Sequence, residues 1–217
     1  MSNSSPQRIA VMMHASLPEA ADEAEQICQF LKLRGRECAC ASFSDDKFRL
    51  RVQSGQFDLV IALGGDGTML RASRLCAQPG IPILGINLGH FGFLAEAPRT
   101  EWPDRLTRLL EGDYRLERRM MLRAEHWRAD TMLAHWLLLN EVVVCRGAAV
   151  RPIRVSAWVD HEPLTSYVAD GLIAASATGS TAYALAAGGP ILPPETRNIV
   201  IVPVAPHLSM DRAIVLA

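Results

Sequence analysis

The sequence predicts an α/β protein whose first half is a layered strand–helix domain and whose second half is rich in β-structure. Three observations carry this. An uninterrupted apolar run at residues 58–63 (DLVIAL) ends in Gly64-Gly65, strand-like and helix-like periods alternate through roughly the first hundred residues, and the texture changes from Tyr114 onward. A run without polar alternation is what a parallel strand buried on both faces requires. Alternation of the two periods favours a layered domain over separate helical and sheet regions.

Residues 8–13 read as a short buried strand. Ala20, Ala24, Ile27 and Leu31 then recur on one helical face, with Gly35 placed to stop the helix. Residues 37–43 can form a second strand and 58–63 the central one, with a helix beginning just after Thr68. After a Pro-Gly break, residues 81–86 form another short apolar run, and 102–110 a helix closed by Gly112. Beyond Tyr114, residues 133–145 and 153–160 are rich in β-branched and apolar side chains with few helical periods between them. His161-Glu162-Pro163 reads as a turn between two strand-like runs, and 198–204 as a strand interrupted by Pro203. The division falls near residue 112. A Rossmann-like α/β layered domain over 1–112 is expected to precede a β-rich, β-sandwich-like domain over 113–217.

Composition narrows the classes of function. With 217 residues, 49% apolar and 21% charged, the chain can build a core without metals or disulfides. A formal net charge of -1 gives no overall pull toward nucleic acid or an anionic membrane. Cys28, Cys38, Cys40, Cys76 and Cys145 lack paired CxxC spacing and are expected as reduced thiols. His14, His90 and His207 are scattered without a ligand doublet, so no protein-held metal is expected. The first residues contain no apolar signal core, and no stretch reaches the roughly 18 apolar residues of a membrane span, which points to the cytoplasm.

The chemistry-bearing segment is Gly64-Gly65-Asp66-Gly67-Thr68, three glycines around one aspartate between a buried strand and a helix. Glycines let the backbone approach a ligand, and the helix start offers free N–H groups and a positive dipole end, so phosphate is the natural guest. The lysine of a Walker A loop is missing. An aspartate here would repel bare phosphate. It therefore suits either a metal-bridged triphosphate or an acid that takes a proton from an attacking hydroxyl; capping the helix near Thr68 is the alternative. Arg71, one turn on, either neutralises phosphate or faces solvent.

Further segments narrow the reading: Asn87-Leu88-Gly89-His90-Phe91-Gly92-Phe93-Leu94, then Asn140-Glu141 at the end of an apolar run, then Asp170-Gly171-Leu172, and Thr178-Gly179-Ser180-Thr181-Ala182-Tyr183 followed by Gly188-Gly189-Pro190. Together with GGDGT, which is shared with lipid, sphingoid and sugar-phosphate kinases, these strings closely resemble the NAD kinase family. The resemblance runs from about residue 58 to 216 and implies transfer of the γ-phosphoryl group of ATP to the adenosine 2′-hydroxyl of NAD. It implies Asp66 as the base, and Gly64, Gly65, Gly67 and Thr68 as the phosphate loop. NAD would be held by Asp66, Gly67, Arg71, Phe93, Asn140, Glu141, Arg151, Val168, Asp170 and the stretch Thr181, Ala182, Tyr183, Ala184, Leu185 and Ala186. Magnesium or another divalent cation would accompany ATP, and a homodimer or homotetramer would share the site, with Asp170 serving a nucleotide partly held by a neighbouring subunit. Neither nucleic acid nor membrane is an implied partner.

The chain also departs from the family pattern. Val168 stands where many relatives carry arginine, Ala177 replaces a common proline, and Ala186 a frequent serine. Relatives usually continue for several dozen residues past the segment that ends here at Leu216, adding strands to the second domain. Two other readings are compatible with GGDGT: a related lipid or sphingoid kinase, and a non-catalytic NAD(P)-binding regulatory subunit.

Overall fold

The computed structural model describes residues 5–14, 18–89, 92–148, 151–207 and 210–217. The chain divides into two compact units, Met1–Leu116 and Glu117–Ala217.

In the N-terminal unit the strands β1 (Arg8–Met13), β2 (Glu37–Ser42), β3 (Leu59–Leu63), β4 (Ile83–Asn87) and β5 (Ala97–Pro98) form one parallel sheet in the order β2-β1-β3-β4-β5. Helices α1 (Pro18–Lys32), α2 (Asp46–Gln53), α3 (Asp66–Cys76) and α4 (Trp102–Leu110) connect or follow the strands. Alternate residues of a strand face opposite sides. Ile9, Val11, Ile61, Leu63, Leu84 and Ile86 pack with Ala24, Ile27 and Leu31 of α1 and Trp102 and Leu106 of α4. Gly85, between Leu84 and Ile86, faces the other way, and Met69 Sδ of α3 lies 2.6 Å from where a Cβ would project. Helices thus cover both faces, which is why β3 is apolar at every position. The strand order reverses between β1 and β3, and in open α/β sheets ligands bind beyond the carboxyl ends of strands at such a point. The GGDGT loop lies just past the end of β3.

Glu23, only 4% exposed on α1, accepts hydrogen bonds from Trp102 Nε1 (2.6 Å) and from the Arg99 side chain, tying α1 to the start of α4. The expectation of reduced thiols fails at one pair: Cys28 of α1 and Cys38 of β2 are disulfide-bonded, with Cα atoms 5.3 Å apart. The helix–strand turn folds them together across ten positions, a proximity that CxxC spacing does not register. Cys40, Cys76 and Cys145 are free.

The C-terminal unit is antiparallel. Strands β8 (Glu141–Cys145), β11 (Gly171–Ser176), β12 (Ile199–Val204) and β13 (Ile214–Leu216) form a sheet in the order β13-β12-β11-β8. Two hairpins stand beside it in sequence, β6 (Leu122–Arg128) with β7 (Thr131–Leu138), and β9 (Ile153–Val159) with β10 (Glu162–Ala169). Ile173, Ala175, Val200 and Val202 pack around Ala184 of the short helix α5 (Tyr183–Ala186).

Two local expectations change. The turn of the β9–β10 hairpin is Asp160-His161, both at positive φ (49° and 71°), so Glu162 and Pro163 already belong to β10. Pro203 does not interrupt β12. It pairs with Leu172, while β13 reaches only as far as Ile201, so on that side Pro203 stands at an edge where a missing N–H breaks no ladder. The N-cap of α5 is Ala182, which makes no side-chain capping bond.

Candidate functional site

Gly64 N–H donates to Ile86 O (3.0 Å), holding the chain beside β4 after β3 has ended. Gly65 is the extended N-cap of α3, and its carbonyl accepts from Thr68 N–H (2.9 Å). The helix therefore begins at Asp66, three residues before the expected start. Asp66 occupies its first turn, where the dipole favours a carboxylate. The side chain does not cap the helix. Its two oxygens accept from the loop after β4: Phe93 N–H to Oδ2 (3.1 Å) and Leu94 N–H to Oδ1 (3.0 Å). Gly92 leaves room for this, since a Cβ there would lie 2.5 Å from Asp66 Cγ and 2.6 Å from Oδ2. Gly92 thus makes way for the carboxylate.

Two segments about 27 residues apart thus meet on one acid, fixed by main-chain donors rather than by flexible side chains. Buried Asn87 anchors the second segment by accepting Gly89 N–H at Oδ1 (2.9 Å). Thr68 is buried; Gly67, Arg71 and the Phe93 ring are exposed. His90 and Phe91 lie outside the described residues.

The second cluster is at one end of β11. Glu141 pairs with Ala175 there, and Ser176 N–H donates to Asn140 O (2.8 Å). The 3-10 turn Thr178–Thr181 follows at once, and Gly179 lies so close to the Asn140 backbone that a Cβ would collide with it. Asn140 Oδ1, Glu141 Oε2 and Thr178 Oγ1 are buried without a hydrogen-bond partner. Three orphaned polar atoms on neighbouring segments are costly in a finished core and are what a polar ligand would satisfy. Burial pushes the Glu141 carboxyl up from its ordinary value. Sequence reasoning missed Thr178, although it lies inside the string that carried the resemblance. Tyr183, Leu185 and Ala186 are exposed and Thr181 and Ala182 half-buried, whereas Ala184 is buried in the core.

Asp170, Val168 and Arg151 do not join this cluster. Asp170 precedes the first residue of β11, six steps or about 20 Å of extended strand from Ser176. There it forms an ion pair with Arg146 (3.3 Å), and its main chain bonds Arg146 N–H and Val204 O. Val168 O accepts from His207 N–H (2.7 Å), and Arg151 is exposed just before β9. Among the described residues no three His, Cys, Asp or Glu side chains gather in a way that could hold a metal ion. No helix of the described residues is long and apolar enough to cross a membrane.

With this geometry in hand, two family models match: the ATP-NAD kinase N-terminal domain over residues 25–114 and the ATP-NAD kinase C-terminal domain over 139–217. The chain belongs to the NAD kinase family. An NAD kinase of Heliobacterium modesticaldum is 39% identical over 216 residues, covering 96% of this chain and 76% of that protein. One from Caldanaerobacter subterraneus subsp. tengcongensis is 46% identical over 160 residues, 74% of this chain. The chain spans 56% of that relative's length. Among solved structures, an NAD kinase from Archaeoglobus fulgidus in complex with ATP matches with a TM-score of 0.75 at 27% identity, covering 97% of this chain and 77% of that one. Yeast NADH kinase complexed with NADH shares the fold, with a TM-score of 0.79 at 22% identity over 97% of this chain and 70% of that one. The glycine loop and the cluster at the end of β11 each lie within a segment matched to the NAD kinase family.

Proposed function

We propose that this chain carries the activity of an NAD kinase, moving the γ-phosphoryl group of ATP onto the adenosine 2′-hydroxyl of NAD to give NADP and ADP. The observation that carries the reading is the Asp66 carboxylate, held by Phe93 and Leu94 N–H at the mouth of a glycine loop that opens a helix. Two donors fix the orientation of the acid while its remaining lone pairs stay available. As the 2′-oxygen forms its bond to the γ-phosphorus, the bond from that phosphorus to the β-bridging oxygen breaks. The hydroxyl proton passes to Asp66, and ADP leaves. The glycine-loop amides and the start of α3 stabilise phosphate charge, so catalysis is mainly positioning and electrostatics.

Asn140, Glu141 and Thr178 supply unpaired polar atoms for a dinucleotide. Arg151, Val168 and Asp170, at the far end of β11, would serve a dinucleotide bound to a second copy, which fits a homodimer or homotetramer working in the cytoplasm. Magnesium or another divalent cation would come bound to ATP and lower the charge on its phosphates.

The test is NADP formation by the 217-residue chain from NAD, ATP and magnesium, beside Asp66→Asn. Loss of a positioned general base costs roughly 10²–10⁴-fold in rate. An asparagine variant with full activity would overturn the base assignment. Dinucleotide binding without turnover by the unaltered chain would favour a regulatory subunit.

A further inference from the structure

Ser176, the last residue of β11, is fully buried, and its hydroxyl and N–H join the Asn140 strand end to the Thr178–Thr181 turn. Its hydroxyl donates to Leu139 O and accepts from Gly179 N–H (3.1 Å), while its own N–H donates to Asn140 O (2.8 Å). On one side of this bridge stand Asn140 Oδ1 and Glu141 Oε2, and on the other Thr178 Oγ1, the three buried atoms without partners. The contact closes fully only because residue 179 has no side chain. A hydroxyl that bridges two segments bearing orphaned acceptors fixes their spacing, and spacing decides whether one ligand can reach all of them.

We propose that Ser176 is a positioning residue of the dinucleotide site. It never touches the ligand but holds the Asn140-Glu141 segment and the Thr178 turn at the separation a dinucleotide's sugar and base edges require. This rests on the dinucleotide reading of that cluster given above. The neighbouring hydroxyl of Ser180 is spent differently, donating to Ala177 O (2.6 Å) and accepting from Leu192 N–H (2.9 Å), so it braces the turn from behind and not against Asn140. Ser176 is therefore the one hydroxyl among these that spans the two ligand-facing segments.

Replacing Ser176 by alanine leaves Leu139 O and Gly179 N–H without this partner and frees the turn to drift. Ser176→Ala should weaken NAD, raising its dissociation constant and its KM about tenfold, a factor within the net worth of the two buried hydrogen bonds removed. KM for ATP and kcat at saturating NAD should stay within about threefold, because the phosphate loop is carried by the other unit. Ser176→Thr, which keeps the hydroxyl, should recover most of the affinity. Thermal unfolding of both variants reports whether the fold survives. Equal loss across NAD affinity, ATP KM and kcat, or no rescue by threonine in a folded protein, would reduce Ser176 to a structural residue and overturn the proposal. Unchanged NAD affinity in Ser176→Ala would also overturn it. If the unaltered chain binds no NAD in the titration, the dinucleotide reading itself has failed, an outcome visible before any variant is made.

Discussion

Substituting Gly92 by alanine tests how the acid at the head of α3 is held. Gly92 does not adopt a positive φ, so alanine is acceptable to the backbone, and the whole effect must come from the added carbon. That carbon would lie 2.5 Å from Asp66 Cγ and 2.6 Å from Oδ2, where ordinary contact begins near 3.4 Å. The carboxylate must therefore retreat by about 1 Å or rotate away, abandoning the N–H groups of Phe93 and Leu94 that orient it. A misplacement of about 1 Å at a reacting group costs on the order of 10²-fold in rate. Gly92→Ala should thus lower kcat for NADP formation about a hundredfold, with KM values little changed and the melting temperature down by only a few degrees. The decisive measurement is the double variant. In an Asp66→Asn background the alanine should cost almost nothing further, because both changes act through one carboxylate. Full additivity, or wild-type kcat in Gly92→Ala, would refute the reasoning.

Glu141 yields a pH test. Burial raises its folded pKa above the unfolded one, so its contribution to stability is fully present below the unfolded pKa and is lost as pH rises through the folded value. Glu141→Gln should match the unaltered chain in acid and become progressively more stable through and above the carboxylate range, while binding NAD less well. Thermal melts across that range check it, and a stability difference independent of pH would contradict it. The cysteines give a second test. Closing a loop of ten residues with Cys28–Cys38 is worth about 2.5 kcal/mol, so reduction should lower the melting temperature by about 5–10 °C. Alkylation of the native, oxidised chain should label exposed Cys145 and spare Cys76, whose thiol is pushed up to about 12 by burial.

The elements legible in the sequence were those with strong periodicity or a long apolar run. The strand at Arg8–Met13 and the helix at Trp102–Leu110 coincide with the residues read from pattern alone, since both bury a full face or stripe. Helix α2 was not read. Its eight residues bury only Phe48 and Val52, and the remaining signal was the capping Asp45, whose side chain accepts from Phe48 N–H. Helix α3 begins three residues earlier than the sequence suggests, because an aspartate after glycines looks like a cap. Whether such a carboxylate serves its own helix or a distant loop depends on a tertiary contact that local sequence does not encode.

The same distinction governs the candidate site. The glycine-rich loop singled out Asp66 by its chemistry, and the family resemblance implied Asn140, Glu141 and Asp170, but motif order says nothing about which end of a strand a residue occupies. Asp170 and Thr178 are eight residues apart and would be taken as neighbours, yet an extended β11 lies between them and puts them at its opposite ends. Asn140 and Thr178 are far apart in sequence and are brought together by the antiparallel pairing of β8 with β11, in which Glu141 meets Ala175. A ligand contacting Asn140, Glu141 and Thr178 at one end cannot have the same atoms reach Asp170 across about 20 Å of strand. If both ends recognise NAD, the shared-site reading follows from strand length, with each copy lending Asp170 to a dinucleotide on another. Asp170→Asn should then weaken NAD binding only in the oligomer. Diluting the protein until it dissociates should erase the difference from the unaltered chain; a deficit that persists in the monomer would place Asp170 in its own subunit's site.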